Sequence, residues 1–129
     1  PRMNTNEEKI VYPELSYQIV GMAMDIQNRL GSGFLEKVYE NALMVLLSRA
    51  GIRAEQQAPV KVYFDGTVVG DYYADILVDG KVIVELKVVD KLTDIHRAQT
   101  LNYLKATGLR LAILINFGKQ RLESERFVN

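Results

Sequence analysis

The sequence predicts one domain of the mixed α/β (α+β) class, with the element order α-α-β-β-β-α-β and a mixed central sheet flanked by helices. Three observations lead to this prediction. Two segments with helical apolar spacing come first, three β-branched runs separated by Asp-Gly pairs follow, and a further helical segment precedes a last apolar run. A length of 129 residues suits a single domain, 1–129, that buries its own core.

Two helices are expected at the start, after a polar segment, residues 1–12, that we expect to be loose. Pro13 and Ser16 suit the start of the first helix, which ends before the glycines at 31 and 33. The second helix spans about residues 35–50, with Gly51 as its stop signal. The apolar side of the first helix comprises Ile19, Met22, Ala23, Ile26 and Leu30, and that of the second comprises Val38, Ala42, Val45 and Leu46.

Three strands are predicted next, at about residues 54–64, 67–78 and 81–89, joined by Asp-Gly turns. Pro59 cannot donate a ladder hydrogen bond and therefore indicates an edge strand or a bulge. Thr93 suits the N-cap of a third helix, which Gly108 ends at residue 106 or 107. A helical crossover then leads to a buried strand at 111–116, and residues 121–128 are compatible with a short outer strand.

The composition excludes several kinds of site. The chain has no cysteine, so neither a disulfide nor a thiolate zinc site can form. Sixteen basic and sixteen acidic residues cancel, so no global field favours nucleic acid, and a local basic patch stays open. No apolar run approaches the roughly 20 residues of a membrane span, and no signal-like segment is seen at the N-terminus. We therefore expect a soluble, cytoplasmic protein without a membrane partner.

Two charges interrupt the strand predicted at 81–89. Glu85 and Lys87 share one face of it, and an unpaired ion in a protein interior costs several kcal/mol. Three compensations are open: an edge strand in contact with water, a Glu-Lys pair, or a bound cation. If Asp75 on the neighbouring strand shares that face, the two carboxylates repel each other unless a cation lies between them. Such ligands suit Mg²⁺ or Mn²⁺, with the backbone carbonyl of Leu86 as a further oxygen.

The length of the turn between these two strands decides whether the carboxylates meet. The Asp-Gly pair alone, as a two-residue loop, would place Asp75 and Glu85 on opposite sides of the sheet. A three-residue loop at 78–80 would instead pair Tyr73 with Glu85 and bring Asp75 diagonally beside it. We therefore predict a three-residue turn or an equivalent bulge, with positive φ at Gly80 and both carboxylates facing the third helix.

Two helices carry further polar candidates. His96, Gln99 and Tyr103 lie within one narrow arc of the third helix, although such an arc is commonly a solvated face. A lone histidine is also more commonly a surface or supporting residue than a metal ligand. In the second helix Glu36 and Tyr39 are neighbours at i, i+3, and an interaction of Glu36 with the helix dipole is the plain alternative to a functional role.

Together these motifs resemble the PD-(D/E)xK nuclease superfamily, which has a restriction-endonuclease-like core. A helix, a three-stranded meander carrying Asp75, Glu85 and Lys87, and a following helix and strand match that core over residues 12–117. Ala74 stands where the superfamily has proline.

A narrower resemblance is to the GxxExxY proteins, a branch of the superfamily. Gly33, Glu36 and Tyr39 have the spacing of the motif that names them. Residues 96–99 and 103–104 are similar to that branch's third-helix signature.

The resemblance implies metal-dependent hydrolysis of phosphodiester bonds in nucleic acid, with DNA as the expected partner and Mg²⁺ or Mn²⁺ as the cofactor. Asp75 and Glu85, with the Leu86 carbonyl, would bind the ion, and Lys87 would orient or help to deprotonate the attacking water. The other implied site residues are Glu36, which would support the site or a second ion, Gln99 in the third-helix signature, and His96, Tyr103 and Tyr39, which are expected to face the substrate.

Two other classes stay open. The first is a binding module for nucleic acid or protein that keeps the fold with weak or absent hydrolysis, because a fold does not fix a function. The second is a structural or protein-interaction domain, for which the neutral net charge is mild support. The sequence also does not distinguish a DNA substrate from an RNA substrate, an endonuclease from an exonuclease, or a monomer from a homodimer.

Overall fold

A computed structural model of the protein describes residues 11–129. The elements, in chain order, are α1 (Pro13–Leu30), α2 (Glu36–Arg49), β1 (Ala54–Phe64), β2 (Thr67–Val78), β3 (Val82–Lys87), α3 (Asp94–Thr107), β4 (Leu111–Asn116) and β5 (Glu123–Val128). This order confirms the predicted class and pattern, and β5 is the outer strand with which residues 121–128 were compatible. Across the described range no helix combines the length and the apolar character needed to cross a membrane.

The five strands form one mixed sheet in the order β1-β2-β3-β4-β5. Only the β3–β4 pair is parallel, and α3 provides the crossover that joins these two strands. One apolar cluster packs α1 and α2 on one face of the sheet, and a second cluster packs α3 on the other face. Because β3 and β4 are covered on both faces, they are almost continuously buried. Pro59 lies in β1, an edge strand, as predicted.

The chain differs from the prediction just before α1. Residues 1–10 of the segment predicted to be loose lie outside the described residues. Val11, however, is buried in the first cluster, and its carbonyl oxygen accepts a hydrogen bond from Arg126 at 2.6 Å. Tyr12 packs against the same cluster and occupies the N-cap position of α1, with Pro13 in the first turn. The prediction of a loose segment is therefore wrong for Val11 and Tyr12.

Helix α2 buries a face that overlaps the predicted one only in part, since Ala42 and Leu46 are partly buried against the first cluster. Its buried residues are Tyr39, Glu40, Leu43 and Leu47. Val38 and Val45, which we expected on the apolar side, are 38% and 46% exposed. Spacing alone favoured the neighbouring stripe because the true face contains a glutamate. The structure buries Glu40 by surrounding its carboxylate with hydrogen-bond donors.

The turn between β2 and β3 has three residues, and Gly80 has positive φ (64°), as predicted. Its position is shifted, however. Val78 pairs with Val82, so the loop is 79–81 rather than 78–80, and the predicted pairing of Tyr73 with Glu85 is wrong. Asp79 also adopts positive φ (53°), which aspartate tolerates better than most residues. The register that follows places Asp75 directly across from Glu85 instead of diagonally from it.

Gln57 and Asp75 lie opposite each other in the β1–β2 hairpin. At these two residues the side chains of the hairpin switch the face of the sheet toward which they point. In β2, Ile76 packs in the first cluster but Ala74, two residues earlier, packs in the second. Residues two apart share a face in a regular strand, so the alternation is broken between them. Gln57 has φ of 52°, a backbone conformation unusual for its residue type. The outer half of the hairpin therefore turns toward α3.

Asn116 and Gly118 fix the chain where it leaves β3. The buried Asn116 amide donates to the Val89 carbonyl oxygen at 2.8 Å, and its oxygen accepts the Val89 N–H at 3.0 Å. The same oxygen accepts the Gly118 N–H at 2.9 Å. A Cβ atom at Gly118 would overlap the backbone of Val89. A glycine is needed here because the two backbone segments lie in direct contact.

We expect Gly118→Ala to lower the free energy of unfolding by more than about 2 kcal/mol, since the added methyl group must displace backbone and break the Asn116 bonds. Thermal melting followed by circular dichroism measures this. Gly21→Ala is the matched control, because Gly21 lies in α1 with open space around its Cβ position and should gain roughly 0.5–1 kcal/mol. Equal melting temperatures for the two variants would contradict the close contact at Val89.

Candidate active site

The carboxylates of Asp75 and Glu85 lie side by side where β2 and β3 separate. Regular pairing ends at Ile76 and Val84. Beyond that pair, the Asp75 N–H donates to Glu85 Oε2 at 2.8 Å, and the Leu86 N–H donates to Asp75 Oδ2 at 2.8 Å. Each carboxylate thus takes the place of a backbone carbonyl in the ladder. The two exchanged bonds hold both side chains in one orientation and satisfy two backbone donors.

The Leu86 carbonyl group also points toward the position of the two carboxylates. In an extended strand the N–H and C=O groups of one residue point toward the same neighbouring strand. Because the Leu86 N–H reaches Asp75, the Leu86 carbonyl is directed toward the β2 side as well. A third oxygen is therefore presented beside the two carboxylates.

Burial and mutual repulsion raise the pKa values of the acidic groups here. Burial raises the pKa of Glu85 to about 8, and the Asp75 charge adds to the shift. Burial likewise raises the pKa of Asp75, against the lowering effect of the Leu86 hydrogen bond. The pKa of Glu36, in the first turn of α2, is raised by burial and then by Asp75. A cluster whose charged forms are disfavoured in this way favours a cation.

Lys87 is held toward this cluster by α3. Its Nζ donates to Gln99 Oε1 at 3.2 Å, and Gln99 Nε2 donates to the Tyr103 hydroxyl at 3.3 Å. The Lys87 charge is close enough to lower the pKa values of Glu36, Asp75 and Glu85. Burial and then Glu85 raise the pKa of the Tyr103 phenol. We predicted that both carboxylates face the third helix near Gln99, and the charges of Glu85 and, to a smaller extent, Asp75 both raise the pKa of Tyr103 in that helix.

Glu40 and Gln57 support the site, and neither was among the predicted site residues. Glu40 is 1% exposed, and its carboxylate accepts hydrogen bonds from Lys37, Gln56 and Gln57 at 2.7–3.3 Å. Its charge also raises the pKa of Asp75, so the two groups are near each other. The spacing of Glu40 one turn after Glu36 was a usable signal. No sequence signal marked Gln57, because its contact depends on the break in β1.

Two of the residues predicted to face the substrate make structural contacts. Tyr39 has no exposed surface: its ring stacks on Phe117 at 4.5 Å, and its hydroxyl donates to the Gly31 carbonyl oxygen at 2.7 Å. The prediction that Tyr39 faces the substrate is therefore wrong. His96 is half-buried, and its Nδ1 accepts the N–H of Thr93 at 3.0 Å in a capping box. Its neighbour Arg97 binds Glu125 through two hydrogen bonds and ties α3 to β5.

The donor set fits a hard divalent cation with partial protein ligation. Among residues 11–129, no three histidine, cysteine, aspartate or glutamate side chains converge on one ion position. Asp75, Glu85 and the Leu86 carbonyl would hold an ion only with water or substrate oxygens beside them. This agrees with Mg²⁺, which usually keeps several waters and takes one or two carboxylates plus phosphate oxygens.

Similar structures agree with this fold. A structure described as SSO0001 superposes with a TM-score of 0.57 and 19% identity, over 73% of this chain and 50% of that one. This chain therefore covers half the length of that protein. The alkaline exonuclease LHK-Exo from Laribacter hongkongensis superposes with a TM-score of 0.53 and 14% identity, over 92% of this chain and 71% of that one. At these identities the likeness shows the fold alone. No curated protein was found to be similar in sequence.

The sequence itself matches a family model described as the PD-(D/E)XK nuclease superfamily over residues 13–127. That range contains every element from α1 to β5 except the last residue of β5, Val128, and the carboxylates of Asp75 and Glu85 lie inside it. Nucleases of this superfamily typically use divalent metals. The chain belongs to the PD-(D/E)XK nuclease superfamily.

Proposed function

We propose that the protein is a Mg²⁺- or Mn²⁺-dependent nuclease that hydrolyses phosphodiester bonds, with DNA as the first substrate to test. One observation carries the proposal. Asp75 and Glu85 present their carboxylates side by side where β2 and β3 separate, and Gln99 holds Lys87 toward these carboxylates. One buried carboxylate (Glu85) and one half-buried carboxylate (Asp75), both with raised pKa values beside one ammonium group, are costly for the fold unless they bind something.

Each side chain has a role in this proposal. Asp75 and Glu85 hold the ion, with the Leu86 carbonyl as a third oxygen. When bound, the ion supplies Lewis-acid polarisation of a phosphoryl oxygen and lowers the pKa of water. Lys87 offsets the negative charge that develops on the phosphate and orients the attacking water. Water adds to phosphorus and releases one proton to solvent, the bond to the leaving oxygen breaks, and that oxygen takes up a proton from solvent.

Glu36 extends the same site from the α2 side. It lies in the first turn of α2, near enough to Asp75 for the Asp75 charge to add to the effect of burial in raising the pKa of Glu36. We assign it the support of the ion site, or of a second ion. The residues around it fit the proposed GxxExxY branch, because the Tyr39 hydroxyl bonds Gly31 and Phe34 and so shapes the loop that starts α2. The tyrosine of that motif is thus a scaffold for Glu36.

We expect Asp75→Asn, Glu85→Gln and Lys87→Ala each to lower the cleavage rate by about 100-fold or more, because each removes an ion ligand or the charge beside the phosphate. Labelled single-stranded DNA, duplex DNA and RNA, incubated with Mg²⁺ or Mn²⁺, provide the assay. Asp71→Asn is the matched control, since Asp71 lies on the same strand and is exposed, with Lys61 as its partner at 3.4 Å. Cleavage by Lys87→Ala at the rate of the Asp71 variant would refute the assignment.

A divalent cation should raise the melting temperature, because an ion that binds only the folded protein stabilises it by mass action. At an ion concentration about 100-fold above the dissociation constant the gain is about 2.7 kcal/mol. Melting curves with EDTA, Mg²⁺ and Mn²⁺ measure this, and Asp75→Asn should abolish the difference. Identical curves with and without the ions would instead support a binding module or structural domain that uses no metal.

Without metal, stability should fall as the pH rises from about 4.5 to about 8. In this window folded Glu85 keeps a proton that the unfolded chain has lost, so the folded state binds more protons and the free energy of unfolding decreases with pH. The loss is complete above the folded-state pKa. Denaturant titrations in EDTA should show a fall of at least about 1 kcal/mol, reduced in Glu85→Gln and unchanged in the exposed control Glu55→Gln. A flat profile for the wild type would contradict the burial of Glu85.

A further inference from the structure

An aromatic groove lies between the outer half of the β1–β2 hairpin and α3. Its volume is about 700 Å³, and its lining includes Val62, Tyr72, Ile95, Gln99, Tyr103 and Lys105. Tyr72 is 49% exposed, and Ile95 is 80% exposed. The groove therefore exposes apolar surface on the folded domain, and it includes Tyr103, a residue of the second cluster that is 7% exposed.

The groove is continuous with the candidate active site. Gln99 and Tyr103 line it, and the same Gln99 accepts the hydrogen bond from Lys87. The Tyr103 ring lies 5.7 Å from the Tyr72 ring, centroid to centroid. A chain whose phosphate lies beside Lys87 would therefore bring its adjacent residue or nucleotide over Tyr72.

The position of the Tyr72 side chain is determined by neighbouring features of β2. Gly70 leaves room for its ring, because a Cβ atom at Gly70 would lie 2.8 Å from Tyr72 Cε2 and 3.2 Å from Val62 Cβ. The break in the hairpin at Gln57 and Asp75 turns this half of β2 toward α3. The ring thus presents an exposed aromatic surface in the groove.

The small number of positive charges around the groove favours binding of bases rather than binding of a duplex backbone. Among the described residues that line it, Lys105 is the one cation, and the whole chain has no net charge. Duplex binding depends on several cations that neutralise phosphates. An unpaired base, in contrast, offers a π-face that stacks on an aromatic ring and needs no such charge. Asn102, also in the groove, provides an amide for the edge of a base.

We propose that this groove binds an unpaired nucleobase by stacking on Tyr72, so that the substrate is single-stranded nucleic acid or a strand with unpaired nucleotides next to the cleaved bond. The inference rests on the proposed function, since the nuclease centre determines which chain passes the groove. A second copy of this protein is the other occupant that the surface admits, and the test distinguishes it.

The test is a binding measurement in EDTA, where no metal-dependent cleavage occurs. Fluorescence anisotropy follows a labelled oligothymidine of about 12 nucleotides, with a duplex of equal length in parallel. We expect the single strand to bind more tightly than the duplex. Tyr72→Ala should weaken single-strand binding about tenfold or more, and Tyr72→Phe should keep most of it because the ring remains.

Two further variants locate the effect. Gly70→Ala should weaken binding as well, because its methyl group displaces the Tyr72 ring. Tyr73→Ala is the matched control: Tyr73 is 54% exposed on the same strand, but adjacent residues of a strand point to opposite faces. Circular dichroism confirms that each variant is folded. Photocrosslinking of an oligonucleotide that carries 5-iodouracil should label Tyr72 and leave Tyr73 unlabelled.

The outcomes separate this inference from the proposed function. Loss of binding in both Tyr72→Ala and Gly70→Ala supports stacking, whether or not the protein cleaves. Absence of single-strand binding by the wild type, equal binding of the duplex, or equal affinity of the Tyr72→Ala and Tyr73→Ala variants overturns the inference and leaves metal-dependent cleavage to its own assay. If Tyr72→Ala changes self-association in analytical ultracentrifugation and leaves oligonucleotide binding intact, a second copy occupies the groove and the inference fails.

Discussion

The exchange of hydrogen bonds between Asp75 and Glu85 is the constraint on which the site depends. Two carboxylates at the end of a buried sheet would repel each other and leave backbone donors unpaired if they pointed freely. Here each accepts an N–H group from the opposite strand, so the ladder is completed by side chains where the strands separate. The bonds fix the carboxylates but leave them with raised pKa values. The fold thus maintains a cluster that a cation would relieve.

That constraint extends to distant parts of the hairpins. The three-residue turn at 79–81 sets the register that brings Asp75 opposite Glu85. A two-residue turn would reverse the facing of one strand and separate the carboxylates. Gln57, across from Asp75 on β1, takes an unusual backbone conformation and bonds the buried Glu40 of α2. Irregular backbone at such positions is common near functional sites, where the surrounding structure stabilises it.

The same irregularity connects the carboxylate cluster to the aromatic groove. Because the facing of β2 changes at Asp75, its inner half packs on α1 and α2 while its outer half packs on α3. Tyr72 consequently lies beside Tyr103, and Gln99 links that pair to Lys87. Helix α3 is fixed in turn by Arg97, which binds Glu125 of β5. The α3 side of the molecule therefore both positions the charge of Lys87 and carries the aromatic groove.

The sequence by itself determined the elements and their order, because the signals that set them are local: the Asp-Gly turns, Thr93 at the N-cap and Gly108 at the end of α3. It also predicted that Asp75, Glu85 and Lys87 share one site, on the condition that the loop between β2 and β3 has an odd number of residues, because alternation along a strand sets which face each side chain takes. Only the tertiary structure decided which face of α2 is buried, that Tyr39 packs in the core, and that Tyr72 meets α3. These depend on strand twist and on contacts between residues far apart in the chain, which no local spacing encodes.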